Sequence, residues 1–435
     1  MRAFRFLWSS SALSNLADGV LKVGTPLLAV TLTRSPAEVA LAGVATTLPW
    51  LLLALPAGAV ADRQDRRRIM VLANAFRAAL LVAVAAFAWS GSLTLWILLG
   101  AVLLSGTAEV FADTSAQSIL PMTVPSDRLA WANGRIVGAQ TIGNDFIGSP
   151  LAGVLVAILP PAILGAPGLL YGAAGLLLLG MRGAYRPAPA APVPQRSPAP
   201  HAGAATVPAS HVPASGTGTA GAGDAAEPYR RSLAGDIGEG LRYLWAHRFL
   251  RRLAVASGLL NVGNAAYFAV FVLWVVGPGS RMELSPAAYG LMMTAFAAGA
   301  AGGSFVGDRV IGWGGEGRTL VGSWLLSSVL LVAPVLAPHP AVLFPVAVLW
   351  GATNTWSNVI VISTRQRIIP EGLLGRVNSA YRLIGMGGMP IGAGVAGLVG
   401  EAWGVTSVLF ASVAVCLSGV ALISRSIPAF TPERS

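Results

Sequence analysis

The chain runs to 435 residues, of which 54% are hydrophobic and only 11% charged, with a mean hydropathy of +0.68. So few charges cannot cover the surface of a water-soluble globule, which leaves an integral membrane protein. The formal net charge of +11 would suit a nucleic-acid binder only if the basic residues formed one folded surface, and they are instead parcelled out between apolar stretches.

Apolar windows of about 20 residues, long enough to cross a hydrocarbon core as a helix, recur twelve times. They lie near 8–33, 37–61, 69–89, 93–120, 131–159, 162–182, 251–276, 287–311, 319–337, 341–364, 374–400 and 404–424. Lipid cannot satisfy an open backbone, so each is predicted to be a helix. The first contains Ser14, Asn15, Asp18 and Lys22 and has no small-residue cleavage site, so it is read as a full span and not a secretory leader.

After an N-terminal unit of six spans, residues 1–182, the composition changes abruptly. Residues 183–228 are so rich in Pro, Ala, Gly and Ser that they are expected to form a disordered cytoplasmic tether. Residues 229–250 place Leu233, Ile237, Leu241 and Leu244 at helical spacing among arginines, the pattern of an amphipathic helix lying on the membrane surface. A C-terminal unit of six spans, 251–425, and a short cytoplasmic tail, 426–435, complete the chain.

Arginines crowd alternate loops, as at Arg63 to Arg68 and Arg365 to Arg376, whereas the opposite loops hold only Arg34 and Arg281. This bias predicts both termini in the cytoplasm of a multi-pass plasma-membrane protein. The two halves also echo one another. Asp62-Arg63 recurs as Asp308-Arg309, Gln117 to Pro121 as Gln366 to Pro370, and Asn133 as Asn378, at separations of 246, 249 and 245 residues. Such constant offsets predict an all-α membrane fold of twelve transmembrane helices in two six-helix pseudo-symmetric bundles, enclosing a cavity at their seam. Two small-residue stripes, Gly299/Gly303/Gly307 and Gly392/Ala396/Gly400, are read as packing faces.

Charges inside spans are costly and need a reason. Counting along the helices puts Arg77 and Asp113 roughly 10 to 12 Å from the cytoplasmic ends, and Asp18, Glu109 and Asp145 roughly 16 to 21 Å in. Asp18 and Lys22, four residues apart, can pair with each other. Arg77 and Asp113 can neutralise one another, or Asp113 can reach Arg66. Glu109 and Asp145 have no evident partner. A carboxylate without a cation in a low-dielectric cavity binds a proton more readily than one in water, so the proton-coupling candidates are Glu109, Asp18 and Asp145, in that order. Gln140, Asn144, Asn261, Asn264, Tyr267, Asn354, Trp356 and Asn358 are candidates to line a substrate cavity, though helix packing is the commoner role for any one of them.

The loop "GAVADRQDRRRIM" carries Gly58, Asp62, Arg63, Arg66 and Arg67 and resembles the G-x-x-x-D-R-x-x-R-[RK] signature of the major facilitator superfamily, with Asp65 where that family usually has glycine. Arg77 in "NAFRAALL", Glu109 in "AEVFAD" and the stretches 119–134, 146–155, 236–245 and 373–397 are similar to its branch of macrolide-efflux and enterobactin-exporter-like proteins. The resemblance implies a transporter in which Asp62 latches onto the amide end of the helix beginning near Leu374, with Gly58, Arg63, Arg66, Arg67, Arg77 and Asp113 as the remaining gating candidates. The expected function is proton-coupled efflux of a small amphiphilic drug-, macrolide- or siderophore-like molecule. The alternatives are an importer or facilitator of another solute, or a non-transporting sensor or scaffold.

Cys416 is the sole cysteine and all four histidines fall outside the windows; with no phosphate-binding G-x-x-x-x-G-K-[ST] either, no metal, no cofactor and no enzymatic activity is expected. The expected partners are the small-molecule substrate, the proton and the bilayer, with no nucleic acid, and a monomer suffices.

Overall fold

A computed structural model of the chain describes residues 2–183, 185–186, 233–370 and 373–426. Most of the expected tether, 183–228, and nearly all of the tail, 426–435, lie outside the described residues. The N-terminal half comprises α1 (Arg2–Leu32), α2 (Pro36–Ala61), α3 (Arg66–Trp89), α4 (Leu95–Ile119), α5 (Leu129–Thr141), a π-helical segment (Ile142–Gly148), α6 (Ser149–Ile158) and α7 (Ala162–Leu179). The C-terminal half comprises α8 (Leu233–Ala246), α9 (Arg248–Val275), α10 (Pro286–Gly314), α11 (Glu316–Leu330), α12 (Ala333–Leu336), α13 (Pro340–Ile368), α14 (Leu374–Trp403) and α15 (Val405–Ser424).

Ten helices among the described residues are long and apolar enough to cross a bilayer. The other two crossings of the predicted twelve are α1 and α13, 31 and 29 residues long. Their apolar windows are broken by Asp18 and Lys22 in α1 and by the run Asn354 to Asn358 in α13. Large exposed tryptophans, Trp89 and Trp403 at one end and Trp313 at the other, sit where aromatic rings favour the bilayer interface.

Helix starts follow local chemistry. Ser35 caps α2 and Ser285 caps α10, each followed by proline in the first turn, where the missing amide is no loss. These equivalent starts belong to the two copies of the duplicated unit. Within the C-terminal half, α10 and α13 approach so closely that a Cβ at Gly299 would lie 1.9 Å from the Val348 carbonyl oxygen; that stripe is indeed a packing face.

The surface helix expected at 229–250 ends sooner, because His247 caps a new helix, α9. Helix α8 leans on α14: the Glu239 carboxylate accepts from Arg376 at 3.0 Å, and Leu244 is fully buried.

The two halves meet mainly at one end, that of the α2 and α10 N-termini. There Gly397 packs on Ala37 and Ala40, and Gly290 packs on Ser149 and Pro150. Toward the other end α2 and α14 part around a cleft of about 200 Å³ lined by Leu51, Leu55, Arg382 and Met386. The bundle is therefore closed at the Arg34 end and open at the end bearing the α2–α3 loop.

Candidate functional site

The most buried charge among the described residues is Arg77, 1% exposed. It projects from α3 into the middle of the N-terminal bundle, where its Nη2 donates to Asp18 Oδ1 at 2.5 Å on α1 and to Glu109 Oε2 at 3.2 Å on α4. Its Nε donates to Ser105 Oγ at 3.0 Å. From α7 the Tyr171 ring stacks under the guanidinium, with 3.7 Å from Cζ to the ring centroid, and its hydroxyl donates to Asp18 at 2.6 Å. Four helices thus meet on one guanidinium, whose planar fork serves several acceptors at once.

This arrangement corrects the local pairing expected from the sequence. Asp18 pairs with Arg77 and not with Lys22, and Glu109 is not without a partner. Depth counted at Cα ignores the reach of an arginine side chain, which can place its head well away from its own backbone level. Asp113 makes no ion pair with Arg77 or Arg66. It lines, with Arg77, Asn74, Asn15 and Gln140, a polar cavity of about 350 Å³ in the same half.

A second cavity, of about 360 Å³, lies between the halves. Its N-terminal wall offers Lys22, Thr46, Thr47, Asp145 and Ser149; its C-terminal wall offers Phe268, Tyr289, Met293, Phe296, Trp350 and Met389. Asp145 is held in the π segment, which the sequence did not reveal. Ser149 N–H and Oγ both reach back to the Asn144 carbonyl, and such wider turns recur at functional sites. Thr294 Oγ1 of α10 donates to the Asp145 carbonyl at 3.3 Å, tying the π segment to the opposite half.

The amide candidates separate into different places. Asn261, Asn264, Asn354 and Asn358 come together with Arg365 and Tyr381 in a polar cavity of about 140 Å³ within the C-terminal bundle. Gln140 lies instead in the cavity beside Arg77, and Asn144 packs against α1 with a buried Oδ1 that lacks a partner. Two aromatic candidates tie neighbouring helices together. Tyr267 is buried and donates to the Leu331 carbonyl at 2.9 Å, while Trp356 Nε1 donates to the Gly303 carbonyl at 2.8 Å.

In the α2–α3 loop, Asp65 caps α3 and accepts from Tyr185 N–H at 3.2 Å. Arg67 donates to the Leu178 and Leu179 carbonyls, each at 2.8 Å, satisfying the exposed carbonyl end of α7. Asp62, its side chain 75% exposed, lies 3.6 Å from Arg66 and is not engaged with α14. Arg66 also contacts Met122 Sδ. Gly58 has open space beside it, and Arg63 makes no side-chain hydrogen bond or ion pair among the described residues.

Hydrogen bonds between the halves do occur at the opposite end. Glu401, near the end of α14, accepts from Ser35 Oγ at 2.7 Å and from Ala37 N–H at 3.4 Å at the start of α2. Beside it Arg34 donates to the Val276 carbonyl at 3.2 Å and the Pro278 carbonyl at 3.5 Å. Sequence reasoning missed this group; its one visible signal was Arg34, one of only two arginines in that set of loops.

The family profile described as transmembrane secretion effector matches residues 1–178 and 223–434. Macrolide efflux protein A of Streptococcus pyogenes is 23% identical over 153 residues, 35% of this chain and 37% of that protein. An uncharacterized MFS-type transporter of Mycobacterium bovis is 30% identical over 139 residues, 31% of each chain. The chain thus spans about a third of the length of the curated relatives it matches. Among solved structures, a bacterial homologue of the iron transporter ferroportin in an inward-facing state superposes with a TM-score of 0.70 at 14% identity, covering 98% of each chain. A bacterial homologue of the human lysosomal transporter Spinster, also inward-facing, gives 0.66 at 14% identity, covering 100% of this chain and 98% of that one. At such identities the likeness is one of fold.

Proposed function

The chain belongs to the transmembrane secretion effector family of the major facilitator superfamily, a multi-pass membrane transporter, and we propose that it couples proton entry to export of a small amphiphilic molecule by alternating access. The arginine bias of the loops supports cytoplasmic termini in a plasma-membrane protein. With that orientation the bundle is open to the cytoplasm and sealed outside by Glu401, Ser35 and Arg34. Residues 1–182 and 251–425 then act as two rocking bodies joined by the 183–228 tether, and one copy forms a complete pathway.

The observation that carries this reading is a charge imbalance. Arg77 is one cation, shared by Asp18 and Glu109, with Asp113 on the adjoining cavity. One guanidinium balances one carboxylate, and a second carboxylate away from water is tolerated when a proton neutralises it. Glu109 is the acid that takes and gives that proton, its side chain 27% exposed against 14% for Asp18, and Asp113 relays it toward the open end. Export, as opposed to import, is supported by the relative named for macrolide efflux.

Glu109→Gln in proteoliposomes tests the coupling. Transport driven by a pH gradient is expected to vanish while substrate counterflow persists; equal loss of both would mean that Glu109 serves folding and the proposal fails.

A further inference from the structure

Twenty-eight of the 29 basic residues are arginine, and Lys22 is the one lysine. It lies one helical turn beyond Asp18 but in the cavity between the halves, and no carboxylate stands within ion-pair distance of it among the described residues. Asp145 lines the same cavity, likewise without an ion-pair partner among them. Pro26, a turn further along α1, has no N–H to give the Lys22 carbonyl, so that oxygen is left without its helical donor. Across the cavity stand Phe268, Phe296, Trp350 and Met293 from the other half.

A cation and an anion that share a confined space without closing on each other form an electrically neutral site with two separate poles. Lys22 is exposed to the cavity and Asp145 half-buried, and a singly charged ligand that fills the space strips water from both while pairing with only one, which is costly. A ligand whose head bears an acid and an amine satisfies both, while its body covers the aromatic wall.

We propose that this cavity is selective for zwitterionic amphiphiles, with the acid group on Lys22, the amine on Asp145 and the apolar body against Phe268, Phe296, Trp350 and Met293. The inference rests on reading the chain as a transporter of small amphiphiles and names the class that it takes.

Three dansyl compounds with nearly the same body test it by fluorescence binding to the purified full chain: Nε-dansyl-lysine, a zwitterion; dansylcadaverine, which lacks its carboxylate; and 6-(dansylamino)hexanoate, which lacks its amine. The zwitterion is expected to bind at least about tenfold more tightly than either, one charge-assisted contact being worth that much. Lys22→Gln should reduce it to the level of dansylcadaverine, and Asp145→Asn to the level of the hexanoate. Because Lys22 is the sole lysine, acetylating the folded protein removes the same side-chain charge without any demand on folding, and must reproduce the Lys22→Gln result. Binding of all three within about threefold overturns the proposal. So does tightest binding of dansylcadaverine with dependence on Asp145 alone, or the absence of saturable zwitterion binding. Protonophore-sensitive transport of the dansyl compounds regardless of head charge would leave the transporter reading standing and remove this one.

Discussion

Gly19 of α1 lies against the backbone of Asn144 in the π segment, so closely that a Cβ there would come within 2.4 Å of the Asn144 carbonyl oxygen. This crossing sets α1 at the depth where Asp18 meets Arg77 on one side and Lys22 shares a cavity with Asp145 on another. Gly19→Ala must push two backbones apart, with an expected cost of about 1–3 kcal/mol. Thermal unfolding in detergent should show a lowered midpoint and reduced flux, whereas Gly134→Ala, with open space beside it, should change neither.

Removing the hub of the charge cluster should cost more. Arg77→Gln strands Asp18 and Glu109 in the bundle interior, a class of change that costs about 3–5 kcal/mol. Asp18→Asn in the same background is expected to return part of that loss, since it removes one stranded charge. Arg77→Lys should not substitute, because an ammonium cannot present the planar fork that serves Asp18, Glu109 and Ser105 together. Fluorescence-detected thermal stability across the four proteins checks the order.

The Glu401 latch makes a conformational prediction. Glu401→Gln weakens the hold on Ser35 and on the first amides of α2, a charge-assisted contact worth about 1.5–3 kcal/mol. Spin-label distances between Ser92 and Ala337, exposed positions of opposite halves near the sealed end, should then show the population opened at that end rising by about tenfold or more. An unchanged distance distribution would reduce Glu401 to a local helix cap.

For Asp62 the expectation concerns the state not seen here. On the reading that the loop signature implies, Asp62 accepts from the α14 amides when the open end closes. Asp62→Asn should therefore slow transport without lowering the unfolding midpoint. A disulfide between Asp62→Cys and Gly375→Cys should form during turnover and trap the closed form; the buried Cys416 can be replaced by serine to clear the background.

Much of the architecture was legible because lipid imposes a simple rule. Apolar windows between charges gave twelve crossings with ends mostly within four residues of those observed, α1 starting six residues earlier than its window, and the offset of Asp62 from Asp308 pointed to the duplication. What escaped notice depends on contacts between distant segments. Residues Ile142–Gly148 have the hydropathy of an ordinary helix, and their wider winding accompanies the Gly19 crossing and the Ser149 hydrogen bond. The Asp18–Lys22 pair was a reasonable local guess that lost to the longer reach of Arg77. Glu401 belongs to no motif or spacing, and only folding brings Ser35, 366 residues away in sequence, to it. The loop signature marked Asp62, but the conformation observed pairs it with Arg66 and not with α14.

Among the described residues the second half has an arginine stacked on a tyrosine, Arg365 over Tyr381 at 4.0 Å from Cζ to the ring centroid, but no carboxylate pairs with it; the described acids there lie in loops or near helix ends. On the proposed reading, the N-terminal unit keeps the ionisable groups and the C-terminal unit supplies the apolar wall of the cavity between them. Grafting residues 251–425 of a relative onto this N-terminal unit should therefore change which apolar bodies are carried while leaving the head-charge preference and the stoichiometry of coupling as they were.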